Sequence, residues 1–249
     1  HEELKRAFRP LIPDVRFLRF NALSDLALIS ERTACVIVEP VQGEAGIILP
    51  EGGYLQKLRE RCDECGVLLI FDEIQTGLCR TGRNFAFEHW DVVPDILVLA
   101  KALGGGMPLG AFISSKSIMQ TLAFNPVLGH ITTFGGHPVC CAAGMASLRY
   151  LLKNINNSDT EDKADLFYTL LKDAIHVKSI RYKGLLMAIE LGDADKLQQF
   201  IKLGLEKGVI SDWFLFCDTA FRISPPMIIT PDEITDVCRI IEECLKEIR

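Results

Sequence analysis

The sequence predicts an α/β fold: a larger unit on a mostly parallel sheet, followed by a smaller α+β unit. Three observations carry this reading. The runs ACVIVE (34–39), VLLIFD (67–72) and ILVLA (96–100) are apolar at nearly every position, as in strands buried on both faces. A helix-like segment lies between the first two, giving the strand–helix–strand order of a parallel sheet. Beyond about residue 155 helices and strands follow one another without strict alternation, which marks a change of architecture.

The elements follow in order. In YLQKLRERCDEC, residues Tyr54, Leu55, Leu58 and Cys62 fall at helical spacing, and Gly66 ends the helix. GAFISS (110–115) reads as a fourth strand. HPVCCAAGMASLRYLLKNI (137–155) reads as a long helix with Cys141, Met145, Leu148 and Leu152 on one packing stripe. The polar run Asn156, Asn157, Ser158 and Asp159 marks a break. After it come a helix in ADLFYTLLKDAI, a strand pair around Gly184, a helix in KLQQFIKLGLEKG and a strand ended by Pro225 and Pro226. A last helix has Pro231 near its start. The division expected is 1–154 for the larger unit and 155–249 for the smaller.

Composition bounds the function. With 27 basic and 33 acidic residues the net charge is −6, which argues against a sequence-independent nucleic-acid binder. No apolar run reaches the roughly 18 residues of a membrane span. HEELKRAFRP lacks the chemistry of a secretion signal. Nine cysteines, an odd and scattered set, fit reduced thiols in a cytosol. Cys62 and Cys65 form a C-x-x-C, but inside a helix and without a second pair at zinc-like spacing. No metal site is expected.

All three strands end near an ionisable residue: Glu39, Asp72 and Lys101. In open α/β sheets, ligands bind outside the carboxyl ends of the strands. A strand-end lysine, once buried, is a nucleophile toward carbonyls, and the aldehyde cofactor of that chemistry is pyridoxal phosphate. Its ring nitrogen needs an acid partner, for which Asp72 is the candidate. Gly104, Gly105 and Gly106 would let backbone approach that cofactor closely. No Lys-Ser/Thr follows them, so they are not a P-loop. These residues alone do not name an enzyme.

Longer stretches do. EPVQGEAGI (39–47), LLIFDEIQTGLCRTGRNFAFEHWDVVPDILVLAKALGGGMPLGA (68–111), TTFGGHPVCCAA (132–143) and FRISPPMIIT (221–230) occur in one order and spacing. In them the chain resembles the class III, pyridoxal-phosphate-dependent aminotransferases, the group of ornithine, acylornithine and 4-aminobutyrate aminotransferases. The resemblance implies the type I fold of pyridoxal-phosphate enzymes. It implies transfer of an ω-amino group from ornithine, an N-acylornithine or a similar amine to 2-oxoglutarate. It also implies a cytoplasmic homodimer whose active site is shared across the interface.

Carried onto this sequence, the resemblance gives each residue a role. Lys101 attaches the cofactor and, once released, moves the proton as general base. Asp72 pairs with the ring nitrogen, Ile74 packs on the ring, and Gln75 bonds near the ring hydroxyl. Thr133 reaches the cofactor phosphate of the neighbouring subunit. Arg222 binds a substrate carboxylate, a task that suits a planar two-pronged donor. Glu44 covers Arg222 when the substrate has no carboxylate there.

Plainer readings stand for other residues. Arg80 and Arg83 read as loop contacts, His130 and His137 as structural, and His89 with Trp90 as packing. Glu39 is either a site-lining acid or a strand-end hydrogen bonder. Trp213, Phe214 and Phe216 either line an apolar substrate wall or belong to the core of the smaller unit, and core is the reading favoured. The chain departs from the family pattern at Cys79, where the loop has glycine. The family's phosphate-holding turn and ring-stacking aromatic lie upstream of everything in these 249 residues. A chain without them is expected to retain cofactor weakly. The competing functions are an aminomutase or epimerase of the same family, which needs no keto acid, and an inactive piece that keeps only the fold.

Overall fold

The structure, a computed structural model, describes residues 2–155 and 157–249. After a short helix α1 (Glu2–Arg6) and an extended segment, the chain enters strand β1 (Cys35–Val38), helix α2 (Tyr54–Cys65), β2 (Leu68–Asp72), β3 (Ile96–Leu99) and β4 (Ala111–Ser114). Helices α3 (Lys116–Gln120), α4 (Pro138–Asn154) and α5 (Asn157–Leu171) follow. The rest is β5 (Ser179–Lys183), β6 (Leu186–Glu190), α6 (Ala194–Glu206), β7 (Trp213–Phe214), β8 (Cys217–Ile223) and α7 (Pro231–Glu247).

Two four-stranded sheets result. The first has the order β1-β2-β3-β4, with the first three strands parallel and β4 antiparallel to β3. The second is antiparallel throughout, in the order β5-β6-β8-β7. Each sheet packs its own core. Leu55, Leu58 and Cys62 of α2 meet Leu69, Phe71, Leu97 and Leu99 under the first. Under the second, Phe167 of α5, Phe200 of α6 and Ile234 and Ile241 of α7 enclose Met187, Ile189 and Phe221. Phe200 and Phe221 stack with ring centroids 4.0 Å apart.

The first sheet departs from the sequence reading in burial. Only one face is tightly packed: along β2 and β3 buried residues alternate with half-buried ones, and Ile37 on β1 is 67% exposed. Helix α4 departs as well. Its stripe at Cys141, Met145 and Leu152 faces outward. The packed face carries Cys140 and Gly144, because Gly144 lets the helix close on the backbone of Leu103, with only 2.7 Å between an added Cβ and that carbonyl. Of the expected polar break, Asn156 lies outside the described residues, and α5 already begins at Asn157.

The two sheets meet through the loop after β1. Val41 and Ile47 are fully buried against Leu186, Ala188, Phe214 and Ala220. Arg80 adds a polar link, donating from Nη1 to the carbonyls of Leu185 (3.2 Å) and Pro225 (2.6 Å). This matches the loop-contact reading of Arg80.

Candidate active site

Parallel pairing puts the ends of β1, β2 and β3 side by side. The register Val38–Phe71 sets Glu39 beside Asp72, and the register Asp72–Val98 sets Asp72 beside β3, the strand that leads to Lys101. Asp72 Oδ1 accepts the backbone N–H of Ile74 at 3.0 Å. Its other oxygen has no hydrogen-bond partner among the described residues. Ile74 itself is half-buried.

Lys101 is exposed, not buried as its position after an apolar run suggests. The strand stops at Leu99, and a 3₁₀ turn over Lys101–Gly104 carries the lysine past the end of the sheet. Its φ of 48° lies in the left-handed region. That conformation in a residue with a Cβ costs of order 1–3 kcal/mol and clusters at functional sites. The amine makes no hydrogen bond or ion pair among the described residues.

One of the glycines after Lys101 also has a packing job. Gly105, at φ +56°, lies against helix α4, where a Cβ would come within 2.8 Å of the Ala143 carbonyl. That glycine is required by helix packing. The packing fixes the turn that carries Lys101.

Glu44 is the centre of the polar network. Its Oε1 accepts from Gln75 Nε2 and from Arg222 Nη2, both at 2.8 Å. Its Oε2 accepts the N–H of Leu215 at 3.0 Å, and its backbone carbonyl accepts the N–H of Phe216 at 3.0 Å. Burial works to raise the Glu44 carboxyl, but the bonds from Leu215, Gln75 and Arg222 and the charge of Arg222 outweigh it and hold the group below its ordinary range. The Arg222 guanidinium lies over the Phe214 ring at 4.7 Å. Its buried Nε has no partner among the described residues, which leaves donor capacity unspent.

The strand-end reading of Glu39 holds. Its Oε2 accepts the N–H of Gly43 at 2.8 Å, so it is a strand-end hydrogen bonder. Burial pushes its carboxyl up despite that bond, and the charges of Asp72 and Glu44 add to the rise, so it also lines the acidic cluster. Thr133 stands apart, in an exposed segment with no hydrogen bond to this cluster. Phe214 is core as expected, but Trp213 and Phe216 are 44% and 51% exposed. Trp213 opens β7, and Phe216 lies in the two-residue turn at the tip of the β7–β8 hairpin.

Three positioning residues escape a reading of the sequence. Glu73 is buried beside Asp72 and accepts the N–H groups of Ala86 (2.6 Å) and Phe87 (2.9 Å). Burial pushes its carboxyl up to about 7 against those bonds. Arg181 and Gly46 form a contact across 135 residues of sequence. An acid next to a strand end was the one signal available for Glu73; nothing local marks the other two.

The family model for class-III aminotransferases matches residues 4–245. Acetylornithine aminotransferase of Methanocaldococcus jannaschii is 39% identical over 249 residues, covering 97% of this chain and 60% of that protein. Among solved structures, the ornithine aminotransferase of Toxoplasma gondii superposes with a TM-score of 0.90 at 33% identity, over 100% of this chain and 59% of that one. The acetylornithine aminotransferase of Elizabethkingia anophelis gives 0.85 at 34% identity, over 96% of this chain and 61% of that one. The chain thus spans about 60% of the length of these relatives.

Proposed function

Because the chain belongs to the class-III aminotransferase family, we propose that it carries the catalytic lysine and the substrate-carboxylate arm of a pyridoxal-phosphate-dependent aminotransferase. The amino donor is ornithine or an N-acylornithine, and the acceptor is 2-oxoglutarate. The observation that carries this reading is the arrangement around Glu44: one carboxylate closes Arg222 while touching Gln75, beside the strand ends bearing Asp72 and Lys101.

The donor set fits the cofactor. Asp72 has one oxygen committed to the Ile74 N–H and one to spare, as a carboxylate that pairs with a ring nitrogen needs. Lys101 has an amine free of ion pairs among the described residues, and Gln75 supplies an amide held by Glu44. Bound pyridoxal phosphate supplies an electron sink for bonds at the amine-bearing carbon. The protein's own groups do the rest. Lys101 holds the cofactor and then carries the proton; Asp72 keeps the ring nitrogen protonated; Ile74 packs on the ring. Arg222 binds the α-carboxylate or ω-carboxylate that enters when Glu44 leaves it. With Glu44 in place, the same arm presents a neutral ion pair to a substrate end that has no carboxylate.

Three further assignments belong to the same proposal. Residues 1–154 form the cofactor-binding part and 155–249 the smaller domain. Nine free cysteines support a reducing cytosol. The apolar, exposed segment around Thr133, with Phe124, Leu128, Ile131 and Phe134, supports a homodimer in which Thr133 serves the partner's site.

The test is a visible absorbance spectrum of the chain titrated with pyridoxal phosphate, with Lys101→Ala alongside. A band in the parent that is absent in the variant is expected; equal spectra would remove Lys101 from its role. Dependence of amine consumption on added 2-oxoglutarate then separates transfer from an internal amino shift.

A further inference from the structure

The loop that carries Glu44 is held more firmly than a loop needs to be. Gln42 and Ile48 exchange backbone hydrogen bonds at 3.0 and 3.1 Å and close its stem. Val41 and Ile47 anchor its two sides, each with 0% exposure. At its far end the carbonyl of Gly46 accepts a 2.6 Å bond from Arg181 Nε on β5.

Arg181 is in turn fixed from below. Its Nη2 pairs with Glu190 Oε2 at 3.0 Å, and the pair is mostly shielded, with side-chain exposures of 27% and 16%. Burial works to raise the Glu190 carboxyl, yet bonds from Thr219, Arg181 and the Gly192 N–H hold it below its ordinary range. Cys217 Sγ lies 3.9 Å from Nη2 and 3.8 Å from Glu190. The guanidinium therefore spends one nitrogen on an ion pair and another on the loop, in the fork geometry that lysine lacks. Gly46 is shaped to accept this. Its φ is +92°, and a Cβ there would stand 2.9 Å from Nη2 and 3.0 Å from Cys217 Sγ.

We infer that Arg181, braced by Glu190, is a positioning residue for Glu44: it holds the Gly43–Ile47 loop so that the Glu44 carboxylate rests on Arg222 and opens by side-chain rotation alone. This rests on the proposed role of Arg222 in carboxylate binding. It adds a residue outside the Glu44–Arg222 pair that sets how often that pair is closed. With the clamp removed, the closed state loses population and a carboxylate ligand gains access to Arg222.

Two readouts test it on the chain as it stands. The first is amide hydrogen exchange at Leu215 and Phe216, whose N–H groups bond to the Glu44 carboxylate and carbonyl. In Arg181→Gln these two amides are expected to exchange about tenfold faster, while amides of α7 keep their protection. The second is the affinity for glutarate, a five-carbon dicarboxylate without a keto group. Arg181→Gln and Glu44→Gln are each expected to tighten it, by about fivefold for a gate closed four-fifths of the time. The double variant should be no tighter than Glu44→Gln alone. Arg181→Lys should fall between parent and Gln.

If Arg181→Gln does not fold, Gly46→Ala disturbs the same contact from the loop side and should move both readouts in the same direction. Unchanged exchange at Leu215 and Phe216 in both variants would overturn the inference. So would weaker glutarate binding in Arg181→Gln beside tighter binding in Glu44→Gln. Faster exchange with no glutarate binding in any variant, Arg222→Ala included, would instead sink the carboxylate role of Arg222 and leave the clamp as a structural contact.

Discussion

Glu73 sits one residue from Asp72 and is among the few buried charged side chains described. It ties the 86–87 backbone to the end of β2 and so fixes the floor beneath Asp72. Its carboxyl titrates near 7 in the folded chain, above its ordinary value, because burial outweighs its hydrogen bonds. The folded state therefore binds this proton more tightly than the unfolded state. The resulting stability is present at low pH and is lost as pH rises from about 4.5 to about 7. Against Glu73→Gln, which cannot titrate, the parent should lose on the order of 3 kcal/mol over that window. Urea unfolding of both proteins at pH 5 and pH 7.5 checks the sign; a parent that gains on the variant would refute it. Lys101, Asp72, Gln75, Arg222 and Glu44 can be proposed from the sequence because each lies in a dense local motif. Arg181 cannot, since its partners Gly46 and Glu190 come from another part of the chain and from a neighbouring strand.

Strand ends and helix caps were legible at the scale of elements for the same reason, being written in adjacent residues. Gly66 closes α2 in the left-handed conformation, as its position after Cys65 implies. Helix α7 opens with Thr230 accepting the Glu233 N–H at 3.3 Å while Glu233 accepts the Thr230 N–H at 2.8 Å. Thr230→Ala should lower stability by about 1 kcal/mol, read from a denaturant midpoint. Helix α4 was misread because its apolar residues form more than one stripe, and periodicity cannot say which one packs. The choice falls to Gly144, where an added Cβ would stand 2.7 Å from the Leu103 carbonyl and 2.8 Å from the Leu109 side chain. Gly144→Ala should lift the helix off the Lys101–Gly104 turn and cost about 1–3 kcal/mol by overpacking. Chemical denaturation measures the loss; an unchanged midpoint would mean that the turn yields freely.

For the molecule as a whole, the two cores use separate stretches of chain, residues 26–99 and 164–248. Between them lies the exposed apolar segment from Phe124 to Val139, in which Phe134 is 78% exposed. If this surface pairs two copies, light scattering should return twice the mass of the chain. Phe134→Asp should return a single mass with an unchanged far-ultraviolet circular dichroism spectrum. A monomer in the parent would end the dimer assignment. The loss of alternation after residue 155 suggests a two-unit layout, and the two sheets are built from strands on either side of it. The way the units touch is not legible in the sequence, because contacts such as Arg80 to Pro225 join residues 145 positions apart.

Those contacts share one chemical trait. Arg80 and Arg181 both reach across the seam to main-chain oxygens, those of Leu185, Pro225 and Gly46. A side-chain acceptor vanishes with one codon change; a peptide carbonyl persists through nearly all of them. Sequence drift can therefore rewrite the accepting positions, Gly46 apart, without unfastening the seam. At those contacts selection has two guanidinium groups to guard, whereas the Glu44–Arg222 pair across the same seam obliges it to keep donor and acceptor in step.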